Sequence, residues 1–179
     1  MTCIVAMRSK RVVLVGADSL GSSGDFTILR SDRKVFRNGS YTIAGCGSYR
    51  AIDVMRYADL PKPPRSGNAH RFMCVDFVDS VRKSFENAGL MRKDNEVQSA
   101  YPFIVAFGRN IFELDSDFQV GINHDGFIAM GSGREVASGA LWATRNMKLS
   151  PEKRIRLAIG AASHFNSGVG GPIHVMSTQ

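Results

Sequence analysis

Short apolar segments and longer segments with helical spacing follow one another along the chain. The short segments are mostly β-branched and are bounded by glycine, serine or charged residues, which is typical of β-strands. The predicted strands are 4–7, 12–15, 26–29, 34–36, 41–44, 103–107, 111–114, 127–130 and 173–176. The glycine- and serine-rich segment 19–24 predicts a loop, and the polar segment 91–100 predicts irregular structure.

Four segments carry the signals of helices. Ser48 and Ser150 are favourable N-cap residues, Pro151 suits a first helical position, and Gly89 suits the position just after a helix. The predicted helices are 49–58, 69–88, 134–145 and 151–165. Strands grouped in blocks, with helices following in pairs, favour two packed antiparallel sheets covered by helices, a layered α+β fold. Residues 1–179 are long enough for one such domain and are expected to form a single one.

The first two predicted strands, 4–7 and 12–15, are expected to form a hairpin. With the turn centred on Ser9, Thr2 faces Gly16 across the pair. Asp18 then lies at the same end of the sheet as the start of the chain.

Composition and charge argue against several classes of protein. No apolar run approaches the roughly 20 residues that a membrane span needs, and no signal peptide is evident. The 3 cysteines lack CxxC spacing and the 4 histidines lie far apart, so no disulfide framework, metal site or cofactor is predicted. The net charge of +7 is scattered along the chain, which does not favour a nucleic-acid surface. A reducing, cytoplasmic location fits these features.

The second residue carries the first candidate chemistry. Removal of Met1 would give Thr2 a free α-amine with an ordinary pKa of roughly 7.7 to 8.0, so Thr2 would bring its own base to its hydroxyl. A cation such as Lys34, anchored by an anion such as Asp18, would hold that amine neutral. Each residue alone also has an ordinary explanation, as a common chain start, a solvated lysine and a turn aspartate.

Two glycine-flanked positions add weaker signals. Gly45 ends a predicted strand just before a helix, so its N–H could point at a developing oxyanion, although a turn glycine explains it equally well. Ser132 lies between two glycines at a predicted helix start, where it could simply be a helix cap.

Five short motifs, taken with their spacing along the chain, resemble one known family. The motifs are Thr2-Cys3-Ile4-Val5, Gly16-Ala17-Asp18, Arg33-Lys34-Val35, Ile43-Ala44-Gly45 and Gly131-Ser132-Gly133. Together they resemble the proteasome-type N-terminal-nucleophile hydrolases, which include the β-type subunits of the 20S proteasome, the small bacterial peptidase HslV and a compact bacterial proteasome homologue. The resemblance implies a four-layer αββα sandwich and stacked homo-oligomeric rings. It also implies threonine-type endopeptidase activity through an acyl-enzyme.

The resemblance gives five residues catalytic roles. Thr2 is expected to be the nucleophile through its hydroxyl and the base through its amine. Lys34 is expected to tune the site electrostatically, with Asp18 as its partner. Gly45 is expected to supply the oxyanion N–H, and Ser132 to bond the Thr2 amine.

Substrate contacts are implied at three further positions. Ile43 corresponds to a residue that lines the specificity pocket of the family, which predicts a modest apolar pocket. Ser22 and Gly47 correspond to backbone positions between which an extended peptide is added as a strand. The expected substrate is a peptide or an unfolded protein, and the resemblance leaves room for an ATP-dependent unfoldase as partner.

One departure keeps other functions open. The 20S pattern carries an aspartate beside a Ser-Gly near the last strand, whereas Ser167-Gly168-Val169-Gly170-Gly171 has none. A weak or inactive ring-forming scaffold or binding chamber is therefore the main alternative. An amidohydrolase acting on a small amide and a basic nucleic-acid binder are the remaining ones.

Overall fold

A computed structural model describes residues 1–94 and 97–179. Two antiparallel sheets stack on each other and helices cover both outer faces, which makes a four-layer αββα sandwich. The strands are β1 Ile4–Arg8, β2 Val13–Ala17, β3 Leu20–Ser23, β4 Phe26–Leu29, β5 Val35–Asn38, β6 Tyr41–Gly45, β7 Arg92–Asp94, β8 Val97–Ser99, β9 Phe103–Phe107, β10 Asn110–Leu114, β11 Val120–Gly121, β12 Phe127–Met130 and β13 His174–Ser177. The helices are α1 Tyr49–Tyr57, α2 Ala69–Phe72, α3 Val78–Asn87, α4 Arg134–Ala143 and α5 Pro151–Phe165.

The two main sheets have four and five strands. The first has the strand order β12-β1-β2-β13, and the second has the order β11-β10-β9-β6-β5. β3 pairs with β4, and β7 with β8, in two small separate hairpins. Because β1 is an interior strand, the residues at its start have a neighbouring strand on each side.

Both faces of the first sheet are buried. Ile4 and Ala6 belong to the apolar cluster between the two sheets, whereas Cys3, Val5 and Met7 pack with α4 and α5. A strand with two buried faces needs a continuous apolar run, which is what the sequence shows here. The outer face of the second sheet packs on α1 and α3.

The helix ends agree with the predicted caps. The Oγ atoms of Ser48 and Ser150 each accept a hydrogen bond at 3.2 Å from the backbone N–H three residues on. The helix predicted over 69–88 is one helical segment whose middle, Met73–Phe77, is π-helical. Across the described residues, no helix is both long and apolar enough to cross a bilayer.

The register of the first hairpin differs from the predicted one. Val5 pairs with Gly16, whereas the prediction places Thr2 opposite Gly16 and is wrong by three residues. The ladder extends to Ser9, whose N–H donates to the Val12 carbonyl at 2.8 Å. The hairpin therefore closes in a two-residue turn rather than in a longer turn around Ser9.

Two segments predicted to be irregular contain strands. The segment 19–24 includes β3, which pairs with β4 and turns at Gly24, where φ is +58°. The segment 91–100 contains β7 and β8, and its residues 95 and 96 lie outside the described residues. Short exposed hairpins lack the alternation that burial imposes, which is why their sequences do not show them.

Candidate active site

Three predicted site residues meet at one end of the first sheet. Ile4 pairs with Ala17 on one side and with Met130 on the other. Asp18, directly after β2, and Ser132, just after β12, therefore flank the residues that precede β1. The Thr2 side chain lies among them and is almost completely buried.

The turn after β12 holds the backbone of Thr2. The Thr2 N–H donates to Ser132 Oγ at 3.1 Å, and the Gly133 N–H donates to the Thr2 carbonyl at 3.2 Å. Gly131 has φ +89°, and a Cβ there would lie 2.9 Å from the Thr2 carbonyl carbon and closer still to its oxygen. Only glycine satisfies both conditions at this position.

A buried ion pair joins the two sheets beside Thr2. Lys34 Nζ lies 2.8 Å from Asp18 Oδ1, and both side chains are almost fully buried. Lys34 precedes the edge strand β5 of the second sheet, while Asp18 follows β2 of the first. Nζ also donates to the carbonyl of Leu20 at 2.8 Å. A buried pair needs such additional hydrogen bonds to offset the cost of desolvation.

The Asp18 carboxylate is fully engaged by donors. Oδ1 accepts from the Cys3 N–H at 2.9 Å as well as from Lys34. Oδ2 accepts from the N–H groups of Leu20 and Gly170, both at 3.2 Å. These bonds tie together the start of β1, the strand β3 and the loop after α5.

Burial sets the protonation of the neighbouring groups. It lowers the pKa of Lys34, and the Asp18 carboxylate counteracts this by favouring the ammonium. It raises the pKa of the Cys3 thiol to about 12 and that of the Cys46 thiol to about 11. Both thiols therefore stay protonated near neutral pH, which does not favour either one as a nucleophile.

Met1 covers Thr2, the predicted nucleophile. The Thr2 hydroxyl donates to the Met1 carbonyl oxygen at 2.5 Å, and the Met1 ammonium donates to Ser22 Oγ at 3.5 Å. The nitrogen of Thr2 is here a peptide nitrogen. It becomes an amine, with Ser132 Oγ already beside it, only when Met1 is removed.

A small cavity of about 80 Å³ opens beside Thr2. It is lined by Met1, Thr2, Ser22, Lys34, Gly47, Ser48, Tyr49 and Ile52. Ser22 and Gly47, which were expected to bind substrate, thus both border it. Gly47 has φ +92°, a conformation that favours glycine.

Ile43 lies elsewhere. Its side chain is fully buried in the cluster between the second sheet and α1 and α3, and the apolar wall of the cavity is supplied by Ile52 of α1. Ile52 and Tyr49 also border the cavity, and neither was predicted as a site residue. Their signal was the N-cap Ser48, which starts α1 immediately after the glycines that border the site.

The N–H of Gly45, the predicted oxyanion donor, already makes a backbone hydrogen bond. The N–H donates to the Lys34 carbonyl at 3.1 Å and so extends the pairing of β5 with β6. It can serve an oxyanion as well only by sharing its proton between two acceptors in a three-centre hydrogen bond.

Asn166 connects the loop after α5 to the site. Its Nδ2 donates to the Ser132 carbonyl at 3.1 Å, and its Oδ1 accepts from the Gly168 N–H at 3.0 Å. The motif pattern indicates only the missing aspartate in this loop and gives no role to the asparagine. This bond needs an amide, because an ionised aspartate is an acceptor only and could not donate to the Ser132 carbonyl.

Comparison with known proteins identifies the fold. No family model matches the sequence. The bacterial proteasome homologue BPH of Thiobacillus denitrificans, solved in complex with epoxomicin, is 23% identical with TM-score 0.83 over 99% of this chain and 98% of that one. HslV from Trypanosoma brucei is 22% identical with TM-score 0.70 over 98% of both chains. An Anbu mutant from Hyphomicrobium sp. strain MC1 is 17% identical with TM-score 0.69 over 98% of this chain and 80% of that one.

All three neighbours are proteasome-type N-terminal-nucleophile hydrolases. The αββα fold that the motif resemblance implies is therefore confirmed.

Proposed function

We propose that this chain is a threonine endopeptidase that hydrolyses peptide bonds through an acyl-enzyme on Thr2, after removal of Met1, inside a homo-oligomeric ring. The main support is the convergence, in a proteasome-type fold, of a buried threonine, a serine at its nitrogen and a buried lysine–aspartate pair. A lysine buried at such depth is rare unless it is paired.

The proposed reaction has two steps. The Thr2 hydroxyl gives its proton to the Thr2 amine while its oxygen attacks the substrate carbonyl, and the amine then passes that proton to the departing nitrogen. Water, activated by the same amine, hydrolyses the resulting ester. The charge of Lys34 would favour the neutral amine and stabilise the developing alkoxide. Ser132 would orient the amine lone pair, and Gly45 would donate to the oxyanion through the shared N–H.

The proposed substrate is an extended peptide that lies between Ser22 and Gly47. Ser22 belongs to β3, and strand addition would supply main-chain hydrogen bonds while pockets read alternate side chains. The small cavity with Ile52 at its wall fits a modest apolar side chain on the acyl side of the bond. The predicted role of Ile43 would then be indirect, as support behind this wall.

Assembly and partners are part of the same proposal. Large apolar side chains are exposed on β4 and on three helices, and burying them between subunits would favour assembly. They are Phe26, Ile28, Leu29, Tyr57, Trp142, Leu157 and Phe165. An enclosed chamber would exclude folded proteins, so the proposal leaves room for an ATP-dependent unfoldase as partner, in the cytoplasm.

The second candidate is a ring-forming scaffold or binding chamber with little activity. Two observations favour it: residues 167–171 lack the aspartate of the 20S pattern and Ser132 is contacted instead by the uncharged Asn166, and the Gly45 N–H is bonded to the Lys34 carbonyl. Retention of Met1 in the native protein would support this candidate.

The decisive experiment is the intact mass of untagged protein before and after incubation with epoxomicin. We expect loss of Met1 and one adduct per chain that maps to Thr2. Thr2→Ala should take no adduct and hydrolyse no peptide, while Thr27→Ala, which changes an exposed threonine of β4, should behave as wild type. Equal size of both variants in gel filtration would exclude an assembly defect. Retained Met1, or a trimmed protein without adduct, would contradict the peptidase proposal.

A further inference from the structure

In the proposed reaction, the departing part of the substrate must lie in the space beside the Thr2 nitrogen. The departing nitrogen of the substrate must receive a proton from the Thr2 amine, so it has to come within hydrogen-bond reach of that amine. The residue that carries this nitrogen, here called the leaving-side residue, must therefore occupy the surface next to Thr2 N. Nothing in the motif pattern says what that surface accepts.

Met1 occupies this surface in the structure. Its carbonyl carbon is bonded to Thr2 N, and its oxygen accepts the Thr2 hydroxyl at 2.5 Å. Its ammonium reaches Ser22 Oγ of β3 at 3.5 Å. Removing Met1 vacates a position that is already adjacent to both reacting groups of Thr2.

Gly168 makes room for the Met1 side chain. A Cβ on Gly168 would lie 2.6 Å from Met1 Sδ, and closer still to Met1 Cβ and Cε. Gly168 is outside the set of glycines with positive φ, so its backbone does not itself require glycine. The absence of a side chain on Gly168 therefore leaves a space, and the unbranched apolar side chain of Met1 fills it.

The wall formed by Gly168 is held in place relative to Thr2. Asn166 accepts from the Gly168 N–H at 3.0 Å and donates to the carbonyl of Ser132, whose hydroxyl bonds the Thr2 nitrogen. Two residues after Gly168, the Gly170 N–H donates to Asp18. A wall fixed at both ends can select by shape, although Met1 is 57% exposed and the space is open on one side.

We propose that the space over Gly168, once vacated by Met1, is the subsite for the leaving-side residue and favours a medium-sized unbranched apolar side chain such as methionine. This inference rests on the proposed peptidase function, and it names the leaving side of its substrates. Because one methylene in an apolar pocket changes kcat/KM by about tenfold or more, the preference over glycine should be at least of that order.

The test compares two internally quenched peptides that differ only in methionine or glycine as leaving-side residue. Wild type and Gly168→Ala are produced with Thr2 as first residue, by cleavage of an N-terminal fusion. The control is Gly160→Ala in α5, where an added Cβ meets nothing within 4 Å. We expect wild type and control to prefer the methionine peptide about tenfold in kcat/KM. In Gly168→Ala the ratio of the two kcat/KM values should fall close to one, and epoxomicin labelling, a reaction without a leaving group, checks that Thr2 still reacts.

Two results would overturn the subsite. One is that the wild type cleaves both peptides with equal kcat/KM. The other is that kcat/KM of Gly168→Ala falls by the same factor for both peptides while epoxomicin still labels the variant at the wild-type rate. If wild type neither cleaves peptides nor takes the label, the peptidase proposal fails by itself. Binding of methioninamide and glycinamide, followed by NMR, then decides the subsite: tighter methioninamide binding that Gly168→Ala abolishes supports it, and equal binding refutes it.

Discussion

The residues around Thr2 are held mainly by backbone groups and by one buried charge pair. The Asp18 carboxylate receives three backbone N–H groups and Lys34 Nζ. Because these donors come from four separate segments, Asp18 has a structural role as well as its proposed catalytic one. Removing its charge should therefore affect stability before chemistry is considered.

Asp18→Asn is expected to cost about 3 to 5 kcal/mol of the free energy of unfolding, since it leaves the Lys34 ammonium buried without a counter-charge. Urea unfolding at neutral pH measures this. Asp32→Asn is the matched control, because Asp32 pairs with Arg30 at the surface, where such pairs contribute about 0 to 1 kcal/mol. Adding Lys34→Met to Asp18→Asn should restore part of the loss, and equal losses in both aspartate variants would refute the explanation.

At the residue scale, the position of Asp18 could be predicted from the sequence, but the residue that forms the apolar wall of the cavity could not. Asp18 lies beside the start of β1 in either register of the hairpin, because it follows β2 directly. Which face of β6 carries Ile43 depends on how β6 pairs with β9 and packs under α1, and these are long-range contacts. Periodicity within one strand does not contain that information.

At the scale of elements, the turn between β12 and α4 positions the start of β1. Gly131 combines a positive φ with close contact to the Thr2 carbonyl, and the next two residues hydrogen-bond Thr2. The turn therefore couples the strand β12 to the proposed nucleophile. Substituting Gly131 therefore tests whether the clash with the Thr2 carbonyl has an effect beyond backbone strain.

Gly131→Ala should destabilise the protein and prevent epoxomicin labelling, because the new Cβ meets the Thr2 carbonyl. Backbone strain alone would cost about 1 to 3 kcal/mol. Gly89→Ala is the control for strain, since Gly89 has φ +67° after α3 and open space around its Cβ position. Unfolding in urea and the labelling rate are measured for both variants. If Gly131→Ala labels at the wild-type rate, the turn does not position Thr2.

Element types were more predictable than element pairings. Ser48 and Ser150 start helices because the caps act within three residues. The predicted register of the β1–β2 hairpin is wrong by three residues, because the polar and charged residues at 8–11 fit several turn lengths. The π-helical turn at Met73–Phe77 keeps the apolar face of a helix, and apolar spacing therefore does not distinguish it.

At the scale of the whole molecule, burial extends through three apolar clusters that lie between four layers. The order of strands and helices predicted layered sheets, and the motif resemblance supplied the αββα arrangement. Cys3 lies in the cluster under α4 and α5, whereas Cys46 lies between the sheets. Both thiols thus become exposed to water only when layers separate, so their ionisation reports on global unfolding.

These two thiols predict a loss of stability at alkaline pH. Burial raises their native pKa from 9.0 to about 12 for Cys3 and about 11 for Cys46. Below pH 9 both states keep the protons, whereas above it only the unfolded thiols release them, so stability falls as pH rises toward the native values. The expected loss is about 1.4 kcal/mol per thiol for each pH unit above 9.

Urea unfolding at about pH 8 and about pH 10.5 tests this expectation in wild type and in Cys3→Ala/Cys46→Ala. The double variant should lose distinctly less stability between the two pH values. Burial also shifts the pKa values of Lys34 and Tyr41, but both residues are present in both proteins, so their contributions largely cancel in the comparison. Cys74→Ala, which changes an exposed thiol, should follow wild type. If wild type and the double variant lose stability in parallel, the thiols are not buried in neutral form, and the close packing of the layers around them is wrong.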